Sequence, residues 1–295
     1  MSARSLVLVL SAGWLAAGLV FSQDAPPQVP AGELSLTLRS RKAAPTAPAG
    51  EKPAVSETPA RWAAKETAVI LCDMWDKHWC AGATARVAEM APRMNELVAE
   101  LRRRGALIIH CPSGTLGFYK DHPGRKPAQA ATKAATKVPL QGWMRLDPKR
   151  EGPLPIDDSD GGCDCQPRCK GGSPWRRQIA TIQIADGDAI TDSAEAYYLM
   201  RQRGIRHVLV MGVHTNMCVL GRPFGIRQLV TQGLEAALVR DMTDTMYNSR
   251  MPPRVRHFRG TDLVVEHIER YWCPSVTSDQ VLGGAPFRFK DDERK

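Results

Sequence analysis

The sequence predicts an α/β protein whose mainly parallel sheet is covered by helices on both faces. Two observations support this fold class: short apolar runs alternate with amphipathic helical patterns, and the first apolar run ends in a carboxylate. Buried parallel strands appear in sequence as continuous apolar runs, and their carboxyl ends open onto a site. The chain has 295 residues, 43% of them hydrophobic, which is enough for one such domain with appendages.

The predicted elements follow one another from residue 68 onward. A long irregular section at 111–178 interrupts them, and loops of this length are usually functional or disordered. The expected strands lie at 68–73, 106–110, 179–184, 207–212, 236–240 and near Val276, and the expected helices at 83–104, 193–203, 218–233 and 262–271.

The chain divides into four segments. Residues 1–22 have the layout of a signal peptide, a basic residue followed by an apolar run, which predicts export to the periplasm or outside the cell; an uncleaved membrane anchor is the alternative. Residues 23–64 are rich in Pro and Ala and suggest a linker with one edge strand at 34–38. The domain is expected at 65–282, followed by a polar tail at 283–295.

The formal net charge is +9, but the basic residues are scattered among carboxylates and no nucleic-acid recognition motif accompanies them. We therefore expect a small-molecule substrate rather than a nucleic acid as the partner. A homo-oligomer is an open alternative.

The segment from Gly212 to Val219 is the most informative one. An apolar strand ends there in a tight turn, and Cys218 then opens a predicted helix. Unpaired N–H groups at a helix start lower a thiol pKa and can hold an oxyanion, which makes Cys218 a candidate nucleophile. The alternative is an inert buried cysteine.

Three pieces together resemble the isochorismatase-like cysteine hydrolases, which include nicotinamidases: 68–73 ending in Asp73, the turn at 210–219, and 239–241 ending in Asp241. The resemblance covers roughly residues 65–275. It implies a three-layer αβα sandwich with a mainly parallel, Rossmann-like sheet of six strands. It also implies a thioester on Cys218 and Asp73 as its acid/base partner.

The same resemblance implies a cis peptide bond between Val213 and His214, with the N–H groups of His214 and Cys218 forming an oxyanion hole. Trp79 resembles the aromatic residue that lines the substrate pocket, and a core role for this side chain is an equal alternative.

The sequence departs from the family at the lysine that should follow the third strand, because residues 183–188 contain none. Lys77, His78 and His214 are the nearest candidate replacements in sequence. Alternatively, Asp186 or Asp188 alters the electrostatics enough to change or abolish the chemistry.

We expect no cofactor and no metal. The metal motif of nicotinamidases is not present after the second strand. A group of acids and histidines could converge in space, but we expect exposed or structural roles for them: Asp76, His78, His110, Asp121 and His122. The cysteines at 163, 165 and 169 fit a zinc site poorly, and export favours their oxidation, so disulfides are preferred over a zinc knuckle.

Three arginines lie near or beyond the predicted catalytic turn: Arg222, Arg227 and Arg240. One of them could hold a substrate carboxylate; the alternative is that all three are solvated or salt-bridged.

The leading hypothesis is hydrolysis of a small amide or related C–N bond through a Cys218 thioester. A catalytically silent exported protein that binds a small molecule or a partner in the same pocket is the alternative, because the lysine is missing. Hydrolysis of a vinyl ether is a further alternative. It is disfavoured because, in the resemblance, a cysteine at position 218 marks the branch of the family that carries out acyl transfer.

Overall fold

A computed structural model describes residues 32–42 and 53–293. The strands are β1 (Glu33–Lys42), β2 (Ala54–Ala63), β3 (Thr67–Cys72), β4 (Leu107–Cys111), β5 (Ala189–Ile190), β6 (His207–Val213), β7 (Glu235–Asp244) and β8 (Ser275–Val276). The helices are α1 (Ala81–Arg104), α2 (Arg125–Gln129), α3 (Glu195–Gln202), α4 (Cys218–Gly221), α5 (Ile226–Thr231), α6 (His257–Tyr271) and α7 (Asp279–Leu282).

The eight strands form one sheet in the order β2-β1-β8-β7-β6-β3-β4-β5. The six strands from β3 to β8 are parallel to one another, whereas β1 is antiparallel to both β8 and β2. The predicted α/β fold with a mainly parallel sheet is thus confirmed, and a hairpin of two further strands extends it at one edge.

Successive side chains of the central strands point to opposite faces of the sheet, and each face packs against its own hydrophobic core. In β3, Ile70 faces one core with helices α3 and α6, whereas Val69 and Leu71 face the other with α1. Helix α1 contacts the sheet through residues at spacings of three and four, including Val87, Met90, Met94, Leu97 and Leu101. The sheet is therefore the middle layer of three.

The prediction of a linker at 23–64 is wrong for most of the residues that the structure describes there, 32–42 and 53–64. Strands β1 and β2 form a regular hairpin there, with Glu33 opposite Ala63 and Lys42 opposite Ala54. The reason is the alternation that suggested an edge strand: Leu34 and Leu36 are buried in the core that also contains α1, and the polar Ser35 lies between them. The outermost strand is β2, whose Pro59 has no N–H to donate and is tolerated at an edge.

The prediction of a strand at 179–184 is also wrong, because these residues form bends and turns. The third parallel strand is β5, which begins five residues after that segment ends. Of its isoleucines, Ile182 is buried in the core beside α1 and does not enter the sheet. A turn also follows the true third strand, and its residues, Thr191, Asp192 and Ser193, include no lysine.

The polar tail predicted from residue 283 packs on the domain as far as it is described. Phe289 is buried and stacks on Phe258, with ring centroids 5.0 Å apart. The N–H of Phe287 donates to Asp241 Oδ2 at 3.0 Å. Arg93 also donates to the carbonyls of Gly283 and Ala285, so both aromatic packing and hydrogen bonds attach the segment.

The predicted signal peptide at 1–22 lies outside the described residues. Within the described ranges, no helix combines the length and the apolar character needed to cross a bilayer.

Candidate active site

Asp73 lies immediately after β3, at the carboxyl end of the sheet. Its backbone is left-handed, with φ of 49°, and this turns the chain away from the strand direction. The side chain is fully buried, and its Oδ1 accepts a 2.7 Å hydrogen bond from the N–H of Ser113, which follows β4. Two neighbouring strand ends therefore hold the carboxylate in place.

Cys218 is presented by a turn after β6. Gly212 has φ of 109°, and a Cβ at this position would lie 2.0 Å from the carbonyl oxygen of Cys72. The peptide bond between Val213 and His214 is cis, as the resemblance implies. The N–H of Thr215 then donates to the carbonyl of Asp244 at 2.9 Å, so the turn is fixed to the end of β7.

The helix that begins at Cys218 is much shorter than predicted. It ends at Gly221 because Pro223 cannot continue it, and a new helix, α5, begins only at Ile226. The residue before a proline avoids helical geometry, and Arg222 is accordingly extended, with φ of −65° and ψ of 162°. This break leaves the Arg222 side chain beside the site, where its guanidinium interacts with both the Cys218 thiol and Asp73.

The structure thus brings together a thiol, a carboxylate and a guanidinium. Arg222 Nε is 3.8 Å from Asp73 Oδ2, and both atoms are buried without a hydrogen-bond partner among the described residues. Burial raises the pKa of Asp73 to about 6, with Arg222 opposing the rise. Burial and the Asp73 charge raise the pKa of Cys218 well above that of a free thiol, whereas Arg222 lowers it.

Arg222 is therefore a cation beside the Cys218 thiol, and it lies near Asp73. The three lysine replacements considered from sequence do not supply a cation there. Lys77 is exposed. Burial lowers the pKa of His78 to about 4 and the pKa of His214 to about 3, so both imidazoles are neutral at neutral pH.

The two carboxylates suspected of disturbing the thiol lie elsewhere. Asp186 is exposed. Asp188 is buried, where it accepts hydrogen bonds from Arg102 at 2.7 Å and pairs with His110 Nε2 at 3.0 Å. Asp188 thereby connects the end of α1 to β4, which is a structural role, and the alternative that it alters the chemistry is not supported by its position.

Aromatic rings line the Asp73 side of the site. Trp75 stacks on Trp175 with ring centroids 4.4 Å apart, and His78 is parallel to Trp175 at 5.7 Å. Trp75 also donates through Nε1 to the carbonyl of Ser113, whose N–H holds Asp73. Trp79 is half-buried; it packs against the group that contains Cys80 and Cys163, and its ring centroid is 5.3 Å from that of His78, so it contacts both the core and the aromatic side of the site.

The irregular section at 111–178 covers the site. The ring of Trp143 lies 5.6 Å from the Arg222 guanidinium, and the N–H of Met144 donates to the carbonyl of Gly221 at 2.6 Å. As a consequence, only 8% of the surface of Cys218 is exposed to solvent. Any molecule that contacts the thiol has to pass beneath this cover.

Glu151 fixes the same section to the body of the domain. Its buried carboxylate accepts hydrogen bonds from Arg227 at 2.7 Å and Trp272 at 2.8 Å, and pairs with His267 at 2.7 Å. Arg227 is thus salt-bridged, and Arg240 donates to Ser275, so neither is directed at the thiol. Of the three arginines considered from sequence, Arg222 alone reaches it.

The disulfides preferred from sequence are absent, since all eight cysteines are unpaired. The structure instead brings Cys163, Cys165 and Cys169 to the start of α1, next to Cys80. The suspected acid and histidine metal ligands do not converge, because His110 pairs with Asp188 and Asp121 is exposed.

No protein-family model and no curated protein sequence matches this chain. Solved structures match it at low identity. A cysteine hydrolase from Pseudomonas syringae pv. phaseolicola has 15% identity and a TM-score of 0.46, over 75% of this chain and 92% of its own. An isochorismatase from Pseudomonas putida has 13% identity and a TM-score of 0.46, over 74% and 91%. A ribonuclease from Caenorhabditis elegans has 12% identity and a TM-score of 0.39, over 76% and 85%. No activity follows from likeness at these values.

Proposed function

We propose that this protein is a hydrolase that cleaves a small amide or related C–N bond through a thioester on Cys218. The observation that supports the proposal most is the meeting of Cys218, Asp73 and Arg222 at the carboxyl end of the sheet, with the guanidinium 3.8 Å from the carboxylate. A nucleophile, a base and a cation are the groups that acyl transfer to a thiol requires.

In the first half of the reaction, the Asp73 carboxylate takes the proton of the Cys218 thiol and the sulfur attacks the substrate carbonyl carbon. The negative charge passes to the carbonyl oxygen, for which the N–H groups of His214 and Cys218 are the proposed donors. Asp73 then returns the proton to the leaving nitrogen, the C–N bond breaks, and the amine departs.

In the second half, water attacks the thioester carbon and Asp73 accepts one of its protons. The C–S bond breaks, the acid product leaves, and the proton returns to the sulfur. A pKa of about 6 suits Asp73 to both tasks, since the carboxylate is ionised at neutral pH yet accepts a proton more readily than an exposed aspartate. Arg222 stabilises the thiolate before the attack and again when the C–S bond breaks.

A binding protein without turnover is the second candidate, and the burial of Cys218 favours it. Only 8% of the residue is exposed, and burial raises its thiol pKa. A protein that bound a ligand at this site without reacting would show the same geometry with a thiol that stays protonated.

Ammonia release from a panel of small primary amides distinguishes the two candidates. The hydrolase releases ammonia with the unmodified chain, and Cys218→Ala lowers this activity by several orders of magnitude. Cys273→Ala is the matched control, because Cys273 is buried beside Trp272, remote from the thiol, and should leave turnover unchanged. Ligand binding that survives Cys218→Ala, without turnover by either chain, would overturn the hydrolase.

A further inference from the structure

A second group of cysteines lies apart from the reactive thiol, at the start of α1. It joins Cys80 to three cysteines of the irregular section: Cys163, Cys165 and Cys169. Cys80 is the residue that precedes the helix, and the others approach it from more than 80 positions away in the sequence.

The spacing of the sulfur atoms is that of a metal site. Cys80 Sγ and Cys165 Sγ are 3.7 Å apart, and the ligand atoms of Cys80, Cys163 and Cys165 all lie within 4.8 Å of one another. A tetrahedral zinc ion with Zn–S bonds of about 2.3 Å separates its sulfurs by roughly 3.8 Å. A disulfide would need a distance of about 2.05 Å.

Cys169 completes the group. Its side chain interacts with those of Cys163 and Cys165, and its Sγ accepts a hydrogen bond from the N–H of Ala81 at 3.4 Å. Cys169 Sγ lies outside the set of three whose ligand atoms are all within 4.8 Å of one another, and it is the neighbouring cysteine that supplies a fourth ligand once its side chain turns toward the ion. Four thiolates with tetrahedral geometry are a ligand set typical of structural zinc.

Backbone N–H groups at the start of α1 are directed at two sulfur atoms of the group, whereas the Asp164 carboxylate lies 3.7 Å from Cys80 Sγ. The N–H of Gly82 donates to Cys165 Sγ at 3.2 Å, as that of Ala81 does to Cys169, so the first turn of α1 directs its unpaired N–H groups at sulfur. The helix has 24 residues, and its amino end favours negative charge. Arg86, one turn further, pairs with Asp164 at 2.8 Å between the cysteines.

From this geometry we infer that Cys80, Cys163, Cys165 and Cys169 bind one structural Zn²⁺ ion through four thiolates. The ion fastens residues 163–169 to α1, and this attachment lies close to the candidate active site, because Met217, the neighbour of Cys218, packs against the same group. The zinc would position the irregular section without touching the substrate.

Metal analysis of the purified full-length chain tests the inference directly. We expect one zinc per chain, and replacement by Co²⁺ should give the charge-transfer and d–d bands of tetrahedral thiolate coordination. Cys165→Ser and Cys169→Ser, at the half-buried positions, should lower zinc to well under one per chain. Cys273→Ser is the matched control and should retain a full equivalent.

Thiol counting on the unmodified chain keeps the inference testable if those variants fail to fold. Removal of zinc by a chelator should expose four additional cysteines to alkylation, identified by peptide mass spectrometry as the four named. An intact mass lower by two hydrogens for each bridge, together with no bound metal, would establish disulfides and overturn the zinc site. A metal-free chain with all cysteines reduced would overturn it as well. Neither readout depends on hydrolysis, so the two proposals stand or fall separately.

Discussion

Replacing Arg222 by glutamine removes the cation beside the reactive thiol while keeping a polar side chain of similar length. The guanidinium Nε lies 3.8 Å from Asp73 Oδ2 and acts on Cys218 as well. With an effective dielectric constant of about 20, a pair of unit charges at this separation interacts by about 4 kcal/mol. The Arg222 side chain is 31% exposed, and solvent screening reduces this figure to about 2–4 kcal/mol.

Arg222 also lowers the pKa of the Cys218 thiol. If its interaction with the thiolate has the same size as that with Asp73, its loss raises the thiol pKa, and the thiolate fraction falls in proportion at any pH below that pKa. We expect Arg222→Gln to slow iodoacetamide labelling of Cys218 at constant pH by a factor of roughly 30 to 1000. Arg222→Lys keeps the charge and should recover part of the rate. Labelling followed by peptide mass spectrometry measures this one cysteine without knowledge of the substrate.

Arg150→Gln is the control for this experiment. Arg150 also lies over a tryptophan, 4.1 Å from the ring of Trp272, but it is exposed and remote from Cys218. The reasoning is refuted if iodoacetamide labels Cys218 at the same rate in Arg222→Gln and Arg150→Gln across the pH range. Arg222 would then not lower the pKa of the thiol.

Three further predictions concern the same framework. Because the pKa of Asp73 is raised to about 6, its base form is lost on acidification through that value, and amide turnover should fall below pH 6; a pH–rate profile that is flat there would contradict Asp73 as the base. Gly212→Ala places a Cβ 2.0 Å from the Cys72 carbonyl at a positive φ, and urea unfolding should show a loss of ~3 kcal/mol or more. Glu151→Gln leaves Arg227 buried without a carboxylate, which should cost ~3–5 kcal/mol at neutral pH. The pKa of Glu151 is lowered to about 2 in the folded protein. The stability that its carboxylate provides is therefore present above pH 4.5 and disappears as the pH falls toward 2. Glu151→Gln should not show this loss of stability in acid.

The central strands and the two strand-end residues Asp73 and Cys218 were predictable because each depends on local signals. An apolar run followed by a carboxylate, and a strand that ends in a tight turn before a cysteine, are visible within a few positions. The same local patterns gave the wrong result for 179–184, where apolar alternation covers the side of α1 without entering the sheet.

The cation was missed although a signal for it existed. Pro223 lies inside the helix predicted at 218–233, and a proline there ends a helix and forces the preceding residue to be extended. That rule places a break at Arg222, beside the nucleophile. The group around Cys80 had no comparable signal, because the chain distance between Cys80 and Cys163 conceals their contact until the whole domain is folded.

The proximity of Arg222 to Cys218 along the chain has a consequence for how this site can change. The two residues are four positions apart, and the N–H of Arg222 donates to the carbonyl of Cys218 at 3.1 Å. A cation at the end of a separate strand depends on the twist of the sheet for its distance to the sulfur, whereas here one short peptide sets it. Substitutions that tilt neighbouring strands would move Asp73 and leave the thiol and its cation together. Proton transfer should therefore be more sensitive to distant mutations than thiolate stabilisation.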